Sequence, residues 1–293
     1  MKVFIYGQNF KGEDKTYIDL LFKKLEKEQI SYKIYEPFAQ LMPENISLSL
    51  CLSSHSELKE YNPDYIITLG GDGTILSAVT IIQDLETPIM GINLGRLGFL
   101  ASIEQERIEN AIDLLIAKEY TLSKRSMLSM QSDPQVFNEK SYALNDFTIL
   151  KRDNSSMIVI HTFVDDVFLN SYWADGLIVA TPTGSTGYSL SCGGPIIFPE
   201  AESIILTPVA PHNLNVRPIL LSNERELSFK IEGRADNFLC TLDSRHSVIT
   251  KDHKISLKKN KFSTNIITLK GDNFMQTIRH KLNWGLDKRK GWK

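Results

Sequence analysis

The stretch Tyr65-Ile66-Ile67-Thr68-Leu69 runs straight into Gly70-Gly71-Asp72-Gly73-Thr74, and an apolar, helix-like segment begins at Ile75. A strand that turns into a helix through three glycines lets a ligand approach the backbone closely, beside the unpaired N–H groups and positive dipole end of the new helix. Asp72 is the local side chain able to accept a proton or hold a cation there. Such a turn suits phosphate chemistry, and it equally suits a tight turn in which Asp72 caps the helix. The turn leaves both readings open, and the surrounding chain decides between them.

Upstream, Lys2 to Tyr6 reads as a strand, and Ile18, Leu21, Phe22 and Leu25 recur at the spacing of an amphipathic helix. Further strands are expected at Tyr32 to Tyr35, Asp64 to Leu69 and Pro88 to Asn93. Helices are expected at Ile75 to Gln83 and around Ile108, Ala111, Ile112 and Leu115. Alternating strands and helices imply a mostly parallel sheet, whose ligands bind beyond the carboxyl ends of the strands, where Asp72 lies. From about Tyr120 helical periodicity fades. Short runs rich in β-branched and aromatic residues follow: Met157 to Thr162, Val164 to Leu169, Leu177 to Ala180, Leu227 to Ile231 and Asn265 to Leu269. Asp165-Asp166 and Gly233 to Asn237 read as hairpin turns, and the last twenty residues return to helix. The expected fold class is α/β plus all-β: an α/β domain over 1–118, a β-rich domain over 119–270, and 271–293 packing back on the first.

The 293 residues, 42% hydrophobic and 23% charged, make an ordinary globular chain long enough for two cores. Apolar runs fall far short of the roughly 18 residues of a membrane span, and Gly7, Gln8 and Asn9 interrupt the first apolar run too early for a signal peptide, so a cytoplasmic protein is expected. Cys51, Cys192 and Cys240 are too widely separated for a zinc site or disulfide framework. The net charge of −2 conceals a basic end, since residues 251–293 carry 12 Lys or Arg against 3 Asp. Lys258, Lys259 and Lys261 lie among strand-like residues without a nucleic-acid motif, which favours solvated lysines that draw in an anionic substrate.

A second stretch carries chemistry: Asp175, Gly176, the apolar Leu177 to Ala180, then Thr181-Pro182-Thr183-Gly184-Ser185-Thr186-Gly187-Tyr188-Ser189. A strand leading into a loop of hydroxyls and glycines presents donors and acceptors to ribose and phosphate oxygens, and Tyr188 offers a ring for stacking. Asn145 and Asp146, just before the run Phe147 to Leu150, combine a donor–acceptor amide with an acceptor carboxylate. That pair reads either as contacts to an adenine edge or ribose diol, or as an Asx turn at a strand start.

In this order, the glycine–aspartate turn, the Asn-acid pair, the Asp-Gly strand with its Thr-Pro-Thr-Gly-Ser-Thr loop, and Thr207 to Pro218 resemble the NAD kinases. Asn93, Leu94, Gly95, Leu97, Gly98, Phe99 and Leu100 add to the resemblance, as do Phe274, Lys281, Leu282, Trp284 and Gly285. It runs from about residue 64 to the end and is weak over 1–63. It implies a Rossmann-like domain followed by a β-rich, β-sandwich-like domain with a returning C-terminal helix, NAD held between the domains, and a homodimer or homotetramer. By the same resemblance Asp72 is the general base for the 2′-hydroxyl of the adenosine ribose, and Gly73 lines its turn. Asn145 and Asp146 contact the adenine part, where many members have Glu in place of Asp146. Asp175 lies on the second nucleotide-binding surface, and Thr186, Gly187, Tyr188, Ser189, Leu190 and Ser191 surround the ligand. Ala210 and Arg245 fall at less uniform contact positions. Gly187 stands where Ala is common, and Trp173 stands where some members have a basic residue.

The implied reaction is in-line phosphoryl transfer from ATP to NAD, with magnesium or another divalent cation accompanying the triphosphate. The chain has no Walker A string and no protein-kinase signature set, so turn amides, hydroxyls and the metal must hold the phosphates. The metal ligands are not readable from the sequence. Diacylglycerol and sphingosine kinases share the isolated Gly-Gly-Asp-Gly turn, as do phosphofructokinases, but a lipid acceptor fits poorly with the polar loop Thr181 to Ser191 and with the absence of an amphipathic membrane helix. A non-catalytic dinucleotide sensor would gain little from an acid facing phosphates. The expected partners are therefore NAD and ATP, with neither nucleic acid nor membrane.

Overall fold

The computed structural model describes residues 1–9, 11–42, 46–152 and 157–284. The chain divides into two compact units, Met1–Ser123 with Asn265–Lys293, and Lys124–Thr264.

In the first unit the unbroken apolar runs become strands buried on both faces. Tyr65–Leu69 and Ile89–Asn93 are buried at every position, and Lys2–Gly7 at all but Lys2, as a parallel sheet covered by helices requires. The sheet runs Cys51–Leu52, Ser31–Tyr35, Lys2–Gly7, Tyr65–Leu69, Ile89–Asn93, Thr264–Leu269 and Tyr120–Arg125, with the short strand Ile103–Glu104 paired to Ile89–Asn93. The helix Lys15–Lys27 buries Ile18, Leu21 and Leu25, and Ile108–Ile116 buries Ile108, Ala111, Ile112 and Leu115, all in one cluster with Ile5, Ile67 and Ile92.

Strand order fixes the site of this unit. From Lys2–Gly7 the chain steps outward through Ser31–Tyr35 and Cys51–Leu52, then resumes on the other side at Tyr65–Leu69 and Ile89–Asn93. The order reverses between Lys2–Gly7 and Tyr65–Leu69, the position where open α/β sheets leave a crevice at the carboxyl ends of their strands. Gly70 to Gly73 emerges there.

Two expectations are corrected. The run Asn265 to Leu269, expected in the β-rich part, belongs to Thr264–Leu269, which pairs in parallel with Ile89–Asn93 at Ile266 and Ile89. Ile266, Ile267 and Leu269 are all buried there. The helix after it, Phe274–Leu282, begins at Asn273, whose Oδ1 accepts from Gln276 N at 3.0 Å. It returns to the first unit, where Lys281 Nζ donates to Leu97 O and the rings of Phe274 and Phe99 lie 6.5 Å apart. Gly285 and the basic residues after it lie outside the described residues.

The second correction concerns Gly233 to Asn237. The second unit consists of two six-stranded antiparallel sheets. One runs Ile219–Ser222, Ser203–Val209, Gly176–Ala180, Asp146–Lys151, Asn237–Leu242 and Arg245–Thr250; the other runs Val167–Ala174, Ile158–Val164, Leu227–Glu232, Lys254–Lys259, Leu128–Asp133 and Tyr142–Ala143. Leu227–Glu232 and Asn237–Leu242 belong to different sheets, so the residues between them cross from sheet to sheet and form no hairpin. Both strands bury alternate residues, Phe229 and Ile231 in one and Phe238 and Cys240 in the other, in the same core. Alternation reports burial of a face but not which sheet supplies it. The Asp165-Asp166 turn is a hairpin, with φ of 48° and 64° at its two residues and Val164 paired to Val167.

The sandwich core centres on Phe147, fully buried and stacked on Phe229 of the opposite sheet at 5.7 Å. Removing that ring leaves a void between two sheets that cannot collapse onto it. Phe147→Ala is expected to destabilise the protein by about 3–5 kcal/mol, read from urea unfolding; a loss within experimental error would show that the core does not rest on this pair.

Candidate active site

The helix after the glycine-rich turn spans Asp72–Ile82, three residues earlier than its apolar pattern suggests, with Gly71 as its N-cap. Asp72 therefore does not cap the helix. Its half-buried side chain reaches to a neighbouring loop, where Oδ2 accepts from Phe99 N at 2.8 Å and Oδ1 from Leu100 N and Ala101 N, each at 2.9 Å.

That loop is itself pinned. Asn93, at the end of its strand, accepts from Gly95 N at 2.7 Å and donates through Nδ2 to Arg96 O at 2.8 Å and Ala101 O at 3.3 Å. Gly98 N donates to Ala101 O at 3.1 Å. A methyl group at Gly98 would stand 1.9 Å from Asp72 Oδ1, so glycine is required for the loop to approach the carboxylate. An ionised carboxylate has about four acceptor positions. Two on Oδ1 and one on Oδ2 are filled, which leaves one acceptor position on Oδ2. Gly73 lies exposed in the first helical turn, where N–H groups have no intrahelical partner.

The remaining sequence-predicted residues lie in the second unit, most of them at one end of one sheet. Asn145, Asp146, Arg245 and the loop that follows Ala180 share that end, whereas Asp175 and Ala210 lie at the opposite end of the same strands, where Gly176 pairs with Leu150 and Val209. Thr186 ends a single turn, Thr183–Thr186, and Tyr188, Ser189, Leu190 and Ser191 form another. This loop is bound to the Asn-acid pair. Thr181 N donates to Asn145 O at 2.9 Å, Thr181 Oγ1 donates to Leu144 O at 2.6 Å, and a side chain at Gly184 would meet Asn145 O at 2.1 Å. Asn145 Nδ2 and Asp146 Oδ2 both face Gly187, where a methyl group would sit 3.6 and 3.7 Å from them.

The loop hydroxyls serve the fold more than the sequence suggests. Ser185 Oγ donates to Pro182 O at 2.6 Å, Thr186 Oγ1 donates to Thr183 O at 3.2 Å, and Ser189 Oγ pairs with Thr207 Oγ1 at 2.8 Å. They satisfy turn carbonyls and buried neighbours that would otherwise be costly. Tyr188 remains 40% exposed, and its hydroxyl is held above its ordinary pKa chiefly by burial, with smaller contributions from Cys192, Asp146 and Asp175. Asp175 pairs with Lys151 at 2.7 Å, Ala210 is exposed at φ 43°, and Trp173 is 56% exposed. Arg245 donates to the carbonyls of Lys140 and Tyr142 and lies 5.6 Å from the centre of the Tyr142 ring.

Asp146 is 7% exposed, and burial together with the nearby charge of Asp243 pushes its carboxyl up to about 7. Asp243 escaped the sequence reading. It occupies the two-residue turn between the strands ending at Leu242 and starting at Arg245, and it accepts from the N–H groups of Leu144 at 2.9 Å, Asn145 at 2.7 Å and Asp146 at 3.2 Å. The only local signal was an acid between two β-rich runs. Arg125 was also missed: buried, it reaches Thr183 Oγ1 at 3.5 Å, and burial pushes its guanidinium down to about 10, with Glu200 opposing the shift.

Comparison with known proteins accords with this fold. Residues 24–120 match the ATP-NAD kinase N-terminal domain, and residues 144–269 match the ATP-NAD kinase C-terminal domain. The NAD kinase of Cytophaga hutchinsonii is 46% identical over 287 residues, covering 97% of this chain and 98% of that protein. The NAD kinase of Flavobacterium psychrophilum is 42% identical over 293 residues, covering 99% and 100%. A solved NAD kinase from Archaeoglobus fulgidus in complex with ATP superposes with a TM-score of 0.77 at 26% identity, covering 97% of this chain and 99% of that one. Yeast NADH kinase complexed with NADH shares the fold, with a TM-score of 0.83 at 21% identity and coverage of 98% and 88%. A Rossmann-like unit joined in sequence to a β-sandwich unit is the fold that this chain shares with these kinases. This chain belongs to the NAD kinase family of enzymes.

The raised carboxyl of Asp146 has a consequence for stability. Its folded pKa of about 7 lies above its ordinary 3.8, so the folded state holds a proton that the unfolded state has released between those values. Stability therefore falls as pH rises through that window and levels above it. Asp146→Asn, which removes the charge, is expected to raise the melting temperature at pH above 7, with the gain narrowing towards the acid end of the window. Thermal unfolding as a function of pH measures this, and a pH-independent difference would contradict the assignment.

Proposed function

We propose that this chain transfers the terminal phosphoryl group of ATP to the 2′-hydroxyl of the adenosine ribose of NAD, with Asp72 as the general base. The observation that carries the role of Asp72 is its clamp: three amides fix the carboxylate and leave one acceptor position on Oδ2. A ribose hydroxyl is a poor nucleophile near neutral pH, and a base of fixed orientation takes its proton as the new P–O bond forms while the P–O bond to the leaving diphosphate breaks. The first-turn N–H groups of the helix Asp72–Ile82, with exposed Gly73, supply dipole and donors for phosphate oxygens. In the second unit, Asn145 and Asp146 take the adenine part. Tyr188 offers its ring and Asp175 its carboxylate to the dinucleotide; Thr186, Gly187, Ser189, Leu190 and Ser191 frame it, and Ala210 and Arg245 flank it.

A divalent cation fits this donor set. Among the described residues no group of three or more His, Cys, Asp or Glu side chains is arranged to hold a metal. Magnesium commonly binds through one or two carboxylates, substrate phosphates and water, without a protein cage. It would arrive with the triphosphate, held mainly by phosphate oxygens and water, and would supply neutralisation of phosphate charge. Among the described residues no helix is long and apolar enough to cross a membrane. A cytoplasmic homodimer or homotetramer that contacts neither nucleic acid nor membrane completes the proposal, supported by the family's usual organisation.

The test is Asp72→Asn, which keeps the side chain's size, removes the base and gives up one acceptor of the clamp, with thermal unfolding alongside to confirm that the loop still folds. Turnover with NAD, ATP and magnesium, read by an NADP-dependent dehydrogenase, is expected to fall about 10²- to 10⁴-fold while NAD affinity changes only several-fold. Near-normal turnover would remove Asp72 from the proposed role.

A further inference from the structure

The turn Asp243-Ser244 closes the hairpin between Asn237–Leu242 and Arg245–Thr250, and it folds against the segment Leu144–Asp146. Asp243 has φ 52°, in the left-handed region that Asp and Asn tolerate better than most residues. Its carboxylate receives three consecutive backbone N–H groups from Leu144, Asn145 and Asp146, and its own N–H donates to Asp146 O at 2.9 Å. These four bonds fix the segment in both directions. On the far side, the Thr181 hydroxyl and amide hold Leu144 O and Asn145 O. The backbone carrying Asn145 and Asp146 is thereby clamped from two elements, while their side chains stay outside the clamp. Asn145 Oδ1 is buried and accepts no hydrogen bond from the described residues, an arrangement that is costly unless a ligand donor completes it.

We infer that Asp243 is a positioning residue of the dinucleotide site: it sets the backbone of Leu144–Asp146 so that the Asn145 amide and the Asp146 carboxylate point together at the adenine part of the ligand. The inference rests on the binding role proposed above for Asn145 and Asp146. The clamp also brings the Asp243 charge close to Asp146, so the residue that aims the acid also influences when it ionises. The charged and titratable groups around this point are Asp146 on its strand, Asp243 and Arg245 on the hairpin, and Tyr188 on the loop, with Tyr142 beside Arg245. Arg245 and the three amides oppose the burial that raises the Asp243 carboxyl, so Asp243 has more support for its charge than Asp146 has. An ionised Asp146 accepts from an adenine amine through a charge-assisted bond, and protonation removes the charge and turns one oxygen into a donor, which weakens that bond.

The experiment is calorimetric titration of NAD into the full chain between about pH 5.5 and 9, for the wild type, Asp243→Asn and Asp243→Glu, with thermal unfolding of each alongside. Wild-type binding should weaken on the acid side as Asp146 takes its proton. Asp243→Asn keeps the turn but loses a charge and one acceptor; its affinity on the alkaline plateau should fall about tenfold, with the inflection moved to lower pH. Asp243→Glu keeps the charge but misplaces the acceptor oxygens, so its plateau should fall without that displacement of the inflection. It carries the test if Asp243→Asn fails to fold. Wild-type binding with variants of unchanged plateau and inflection overturns the inference alone, as does a flat wild-type profile or a loss no larger than the unfolded fraction. Absence of NAD binding by the wild type overturns it together with the functional proposal.

Discussion

Three backbone N–H groups converging on the carboxylate of Asp72 form the constraint on which the first unit's site is built. The loop from Asn93 to Ala101 has little regular structure, and its backbone donors need an acceptor that approaches closely. Asp72 supplies both oxygens, Gly98 supplies the space, and Asn93 ties the loop ends to the strand from which they leave. The terminal helix adds a contact from outside through Lys281 and Phe274. Strand order places the assembly at the reversal of the sheet, so an acid held by local hydrogen bonds also lies where the architecture leaves room for a ligand.

The second unit solves a comparable problem with a second aspartate. Asp243 gathers three amides as Asp72 does, but for a backbone segment instead of a loop. The neighbouring Asp146 remains mostly desolvated beside a like charge, a placement that works against the stability of the folded chain. Sites that retain such a group without compensation are where function outweighs local stability. The hydroxyls of Thr181, Ser185 and Ser189 contribute by satisfying their surroundings, which makes the loop a rigid frame more than a display of free donors.

Much of this was legible in the sequence, for reasons that can be stated residue by residue. Tyr65–Leu69 and Ile89–Asn93 announced themselves because strands buried on both faces need unbroken apolar runs, and the glycine-rich turn because few other residues permit its backbone. The partners of Asp72 were not legible: a contact with amides 27 to 29 residues away leaves no trace in local composition. A still greater distance in sequence hid Asp243, whose donors lie 97 to 99 residues upstream. Gly233 to Asn237 was misread because alternation looks the same in strands facing one core from opposite sheets, and Asn265 to Leu269 because a β-rich run carries no label for the sheet that will receive it.

That last strand has a consequence for how the protein comes into being. Thr264–Leu269 lies between Ile89–Asn93 and Tyr120–Arg125 in the first sheet, yet the ribosome reaches it only after the whole sandwich has been synthesised. The sandwich is one uninterrupted stretch and can close while translation continues. The parallel sheet must wait with a gap beside Ile89–Asn93 until its missing strand emerges. The enzyme's first core to begin is thus its last to finish, and a nascent chain stalled short of Thr264 carries Asp72 on an incomplete sheet.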